Sequence, residues 1–366
     1  MRPFLAISLV VMTGCGDNLG EGDDFGTNSD IEAPVEDNGV LAKLVPEVCA
    51  ASTWDSVVPT AKDVDLAVVQ MQQGAAILTV PKQGGYLQGF LADARGLIIG
   101  DAIGTKIRTD GTWTGVSASV VDSRLIVGLT ANDKTSINIV RGDLKDYREL
   151  AVVDGSVIGD APILYSRGQR VTATGGPTGL VTSTFDEAWA PIGSEVVQRS
   201  VPMSMTSAAY GGDAAVAWST DSECHLQRLA ASSHSMQPFP CKNPRLAMNF
   251  AERAGELVYE TGEGITISDI LVNSHGEIAN QILLTNNGKA PRIVFDGERY
   301  WVSYLNNHGD IVVGYLDEDH TLVAAQLEWT RPENGAYDLA VINGGVWVYS
   351  VDRNTGFGAH KLCLTR

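Results

Sequence analysis

Asn306, Asn307 and His308 stand side by side in one short polar run of this 366-residue sequence. Adjacent amides offer donors and acceptors together, and an imidazole can carry a proton, hold a metal or orient a hydroxyl. Asp352 and Arg353 supply the charged counterpart, an acceptor pair beside a planar fork that matches carboxylates. These five are the candidate binding residues, and no catalytic residue is assigned. Asp317 and Asp319 have the chemistry of a general acid and base but sit in a third-to-fourth-strand turn, on the face opposite the channel mouth, where carboxylates serve as solvated turn formers. The sequence contains no GxSxG, HExxH, phosphate loop or dinucleotide fingerprint. Its six histidines, at 225, 234, 275, 308, 320 and 360, are scattered without ligand spacing, so no metal and no cofactor is assigned. Trp218, Trp301 and Trp347 could stack on a sugar, but each stands in an apolar run and reads as core.

The elements that position these residues repeat. Lys289 to Trp329, KAPRIVFDGERYWVSYLNNHGDIVVGYLDEDHTLVAAQLEW, contains four runs of β-branched, aromatic and aliphatic residues separated by turn formers. It reads as a four-stranded antiparallel meander, with Asp296-Gly297 as a two-residue hairpin and Asn306 to Gly309 joining the second strand to the third. Comparable hairpins are expected at Gln73-Gly74, Asp122-Ser123, Arg167-Gly168, Gly211-Gly212, Ala254-Gly255 and Asn343-Gly344, a period of roughly 42 to 49 residues. A unit this small cannot bury both faces alone and stacks on its neighbours. The expectation is an all-β fold, a β-propeller of seven four-stranded blades. Its face of second-to-third-strand turns and between-blade connections then gathers Asn306, Asn307, His308, Asp352 and Arg353 around the channel mouth.

The first fifteen residues, MRPFLAISLVVMTGC, combine an early arginine with an apolar run too short to span a bilayer, the pattern of a secretory signal. MTGC resembles the lipobox of bacterial lipoproteins, with Met12 where leucine is usual. The resemblance implies cleavage before Cys15 and lipid on its sulfur and new amino group, several chains at one residue giving stable anchoring. Gly16 in the next position points to the outer membrane or cell surface. From Gly16 to Val40 there are eight acidic residues and no basic ones, the composition of a disordered, self-repelling tether. The acids lack the spacing of a calcium loop. The expected organisation is a signal peptide over 1–14, a lipidated cysteine and tether over 15–45, and the propeller over 46–366.

With Cys15 assigned to lipid, an even number of cysteines remains, Cys49, Cys224, Cys241 and Cys363, which argues for disulfides in an exported chain. Cys224 and Cys241 fall in the third and fourth strands of one blade and are expected to pair. The last blade, YDLAVI, GVWVYSV and GFGAHKLCLT, is one strand short, and residues 46 to 58 can supply its outer strand. That arrangement brings Cys49 beside Cys363 and closes the circle, worth about 4–5 kcal/mol in a chain-entropy treatment. A zinc site from these cysteines is disfavoured, because no CxxC spacing occurs. The chain has 44 acidic against 26 basic residues, which disfavours nucleic acid and anionic lipid headgroups as partners. The functional reading is a non-enzymatic, monomeric envelope lipoprotein whose propeller binds a protein or a glycan, touching the membrane only through its lipid. The alternative is a carbohydrate-active enzyme, a glycoside hydrolase or lyase, with its carboxylates at the channel mouth.

Overall fold

The computed structural model describes residues 44–54, 63–99, 105–107, 112–166, 168–210, 212–229, 238–249, 254–271, 277–327, 332–352 and 356–365. The chain separates into residues 1–42 and 43–366, and the account below concerns the second unit. The signal, Cys15 and the acidic tether lie outside the described residues, as does Arg353.

Strand β1 (Val45–Trp54) is set apart, and the chain then builds blades in order. The first blade is β2 (Val64–Met71), β3 (Gly74–Pro81), β4 (Leu87–Ala92) and β5 (Thr105–Ile107); the second is β6 (Gly115–Val121), β7 (Arg124–Ala131), β8 (Lys134–Val140) and β9 (Tyr147–Asp154). In the third, the inner strand is split into β10 (Val157–Ile158) and β11 (Leu164–Ser166), followed by β12 (Gln169–Gly176), β13 (Gly179–Phe185) and β14 (Pro191–Gln198). Pro162 lies in the break, where it cannot donate to a ladder, and its carbonyl instead accepts the Thr172 hydroxyl at 2.6 Å. The fourth blade is β15 (Ser204–Tyr210), β16 (Asp213–Ser219), β17 (Glu223–Arg228) and β18 (Phe239–Pro240). The fifth is β19 (Lys242–Asn249), β20 (Ala254–Glu260), β21 (Ile265–Leu271) and β22 (Glu277–Thr285). The sixth is β23 (Lys289–Phe295), β24 (Tyr300–Leu305), β25 (Ile311–Leu316) and β26 (Leu322–Leu327). The seventh is β27 (Pro332–Ile342), β28 (Gly345–Asp352) and β29 (Gly356–Thr365), completed by β1 on its outer edge.

Every pairing within a blade is antiparallel. Middle strands are buried on both faces, so their apolar residues run on rather than alternate with polar ones. In β3, Ala75 and Ile77 pack toward the seventh blade while Ala76, Leu78 and Val80 pack toward the second. Seven apolar clusters result, one between each pair of consecutive blades, including the seventh and the first. Trp218, Trp301 and Trp347 are all core residues, at most 3% exposed. Among the described residues no helix is long and apolar enough to cross a membrane.

The expected hairpins hold at Asp122-Ser123 and Asn343-Gly344, where both residues have positive φ as a type I′ turn requires. Three differ. Gly74 opens β3, after a turn made by Gln72 and Gln73. Ala254 and Gly255 begin β20, and their connection, 250–253, lies outside the described residues. Asp296 to Arg299 form a four-residue loop, because the Asp296 carboxylate accepts the backbone N–H of Glu298 and Arg299 and the Trp301 indole N–H.

β1 runs from Val45 opposite Thr365 to Trp54 opposite Phe357, with Glu47 facing Cys363. A disulfide joins Cys49 to Cys363, Cα atoms 5.7 Å apart, and a second joins Cys224 to Cys241 across 5.2 Å.

Candidate functional site

The antiparallel meander sorts the connections onto two faces. Turns between first and second strands share one face with turns between third and fourth strands; the other face carries the second-to-third turns and the between-blade connections. The inner strands enclose a cavity of about 590 Å³ whose lining includes Asp65, Asp160, Asp338, Lys82, Arg245 and Arg292. Its carboxylates are largely committed to holding blades together. Asp65 accepts the Val116 N–H of the second blade at 2.8 Å, and Asp338 accepts the Val68 N–H of the first at 3.0 Å. Asp160 accepts the Thr206 hydroxyl, whose oxygen in turn accepts the Leu246 N–H. Arg292 stands 3.7 Å from Asp338 and lies over the Tyr337 ring, while Arg245 stands 3.9 Å from Asp160. Burial pushes Asp65 up and Asp338 up to about 6, against the pull of Val116 N–H and Arg292 respectively. Asp65, Asp160 and Asp338 thus tie neighbouring inner strands together, with Arg245 and Arg292 side by side on the fifth and sixth blades between them.

Asn306, Asn307 and His308 lie in the turn between β24 and β25, on the face with the between-blade connections. The Asn306 side chain is turned inward on its own loop, accepting the N–H of His308 at 2.9 Å and of Asp310 at 3.0 Å. Only Asn307 and His308 stand exposed there. Asp352 ends β28, and its side chain and Arg353 lie outside the described residues, so of the five candidates the structure describes the side chains of Asn306, Asn307 and His308 alone.

Two features had no signal in the linear sequence. A groove of about 1120 Å³ opens between the first and second blades, on the face of first-to-second-strand turns. Met71, Leu91, Leu125 and Val140 contribute apolar surface, Val120 and Ile99 are 40% and 53% exposed, and Arg124, Arg141 and Arg148 stand around them. The second feature is a cluster of Glu256, Asp269 and His320, from the fifth and sixth blades. Burial and the neighbouring Asp269 push Glu256 up to about 8.

Fold and surface together define a seven-bladed β-propeller with a polar channel and a separate apolar groove rimmed by arginines. No protein-family model matches the sequence, and no curated protein does. Among solved structures the chain is similar to the WD40 domain of Toxoplasma gondii coronin, with a TM-score of 0.61 at 11% identity over 88% of each chain. It is also similar to BBS1N, solved in complex with ARL6DN, with a TM-score of 0.56 at 10% identity over 88% of this chain and 98% of that one. At such identities the likeness is one of fold.

Proposed function

We propose that the protein is a non-enzymatic, lipid-anchored envelope protein whose propeller is a docking platform for another protein, engaged through the groove between the first and second blades. The observation that carries this reading is the groove's composition. An apolar floor with exposed Val120 and Ile99, rimmed by Arg124 and Arg148 and by an Arg141 paired with Asp146, stands out on a chain of net charge −18. Such a surface suits a polypeptide segment with an apolar anchor and flanking carboxylates, where burial supplies affinity and charge supplies register and encounter rate. A neutral glycan gains little from the arginines. The hydrolase reading has less support, because Asp65 and Asp338 are held by backbone N–H groups of neighbouring blades. Anchoring at the bacterial outer membrane rests on MTGC, read as a lipobox, and on the acidic composition of the segment behind it, read as a tether.

The test is a photo-crosslinking residue placed in the full chain at Val120 and, separately, at Asn307, in cells. A discrete protein adduct from position 120, lost when Arg124 and Arg148 are both changed to Glu, supports the groove. Adducts from 307 alone move the contact to the channel face and sink the groove assignment. Cys15→Ser is expected to release the chain from membranes; detergent partitioning that does not change would refute the anchor.

A further inference from the structure

The face of first-to-second and third-to-fourth turns also carries an arrangement that a β-sheet normally avoids. Glu256 on β20 and Asp269 on β21 are direct cross-strand partners, two carboxylates opposite one another on the same side of the sheet. Two ionised carboxylates so placed would repel, so one of them keeps a proton or the pair shares a cation. Glu256 is 5% exposed and its Oε2 has no hydrogen-bond partner, although a carboxylate buried to that degree is ordinarily paired. Toward this pair the sixth blade extends His320, from the turn between β25 and β26. Its Nε2 lies 3.3 Å from Glu256 Oε1 and 3.2 Å from Asp269 Oδ1. Asn280 donates its side-chain N–H₂ to Asp269 Oδ2 at 2.6 Å and leaves Oδ1 turned to the histidine.

We propose that Glu256, Asp269 and His320 are the ligands of a divalent metal site of the zinc type, bridging the fifth and sixth blades. One donor atom from each residue lies within 4.8 Å of the other two. Ligands at zinc distances in a tetrahedral shell stand ~3.3 Å from one another, which both edges at His320 Nε2 already match. A proton shared between Glu256 and Asp269 relieves their repulsion but leaves the imidazole lone pair unused, whereas a dication takes one donor atom from all three residues. The donor set of one imidazole and two carboxylates selects zinc-like ions over magnesium or calcium, which take oxygen ligands. The ligands are held in place without the metal. Asp317 Oδ1 accepts the N–H of Asp319 and Thr321 and fixes the turn that presents His320; Asn280 fixes the rotamer of Asp269. The His320 side chain is 34% exposed, which gives an entry path and leaves the fourth position to water.

The experiment uses the full chain, stripped with a chelator and titrated with Zn²⁺ and with Co²⁺ as an optical probe. Saturable binding of a single Zn²⁺, with intense visible Co²⁺ absorption of a four-coordinate site, is expected. Glu256→Gln and His320→Gln, both able to keep the local fold, are each expected to weaken Zn²⁺ at least about 100-fold, and Asn280→Ala about 10-fold. Circular dichroism of each variant establishes that it remains folded. Absence of saturable binding overturns the proposal. So does equal Zn²⁺ affinity in wild type and His320→Gln, which would assign the ion to other groups such as the acidic N-terminal stretch.

Discussion

His360 shows how a single buried side chain ties this fold to pH. It lies on β29 between Ala51 of β1 and Val348 of β28, 2% exposed, and burial pulls its pKa down to about 4. In the unfolded chain a histidine titrates near 6.5, so between about pH 6.5 and 4 the unfolded state binds the proton and the folded state does not. Stability is therefore whole above pH 6.5 and falls by about 1.4 kcal/mol per unit as pH drops, for a total of about 3 kcal/mol by pH 4. His225, also lowered by burial, acts in the same direction. Urea unfolding at pH 7 and pH 4.5 should give a smaller difference in His360→Gln than in wild type; equal differences would mean that His360 does not carry this proton linkage. At this scale the sequence was a poor guide to sites. Asn306 looks like a binding residue in a list of polar types, yet its amide is engaged by its own loop. Glu256 and Asp269 meet because the β20–β21 register sets them opposite each other, and His320 reaches them only because the sixth blade stacks on the fifth.

Strands were more legible than the turns that join them. A run such as RYWVSYL declares a strand because β-branched and aromatic residues fit a pleated surface buried on both faces, and β24 occupies Tyr300–Leu305. Turns depend on which of several local bonds wins. Asp296-Gly297 has the composition of a two-residue hairpin, but the carboxylate captures two N–H groups beyond it and opens the loop. At the turn before β21 the constraint is steric. Gly264 has a φ of 140°, and a Cβ there would lie 2.0 Å from the Thr285 carbonyl oxygen, while its own carbonyl closes the turn from Thr261 N–H at 2.7 Å. Gly264→Ala is expected to destabilise the domain by about 2 kcal/mol or more, since both φ and space are wrong for a side chain. Gly262→Ala, two residues earlier with nothing within 4 Å of its Cβ, should change stability by no more than about 0.5 kcal/mol. Matched denaturant midpoints for the two variants would refute the steric account of this turn.

The ring is the feature that the sequence displayed most openly, because a repeat announces itself seven times and a last blade one strand short asks for its partner. β1 answers by pairing along β29, and the Cys49–Cys363 disulfide fastens a circle whose ends are 314 residues apart in sequence. Two independent devices thus hold the closure: a strand ladder with its share of the apolar cluster between the sixth and seventh blades, and a covalent bond. They can be separated by reduction. Cys49 is exposed, whereas Cys224 and Cys241 are 0% and 3% exposed within the cluster between the fourth and fifth blades. A mild phosphine under native conditions should open Cys49–Cys363 first, with alkylation at those two positions alone, and leave the other bond until the domain unfolds. A loop this long predicts a loss of about 5 kcal/mol if the bond acts only by restricting the unfolded chain. The Cys49→Ser, Cys363→Ser double variant should therefore unfold at a markedly lower denaturant midpoint while keeping the wild-type fold and signal at low denaturant. A midpoint that does not move would show that the β1 ladder alone closes the ring. Deleting residues 45–54 instead leaves β29 as an open edge and the last blade without its outer strand, and should cost more than removing the bond, with aggregation as its sign.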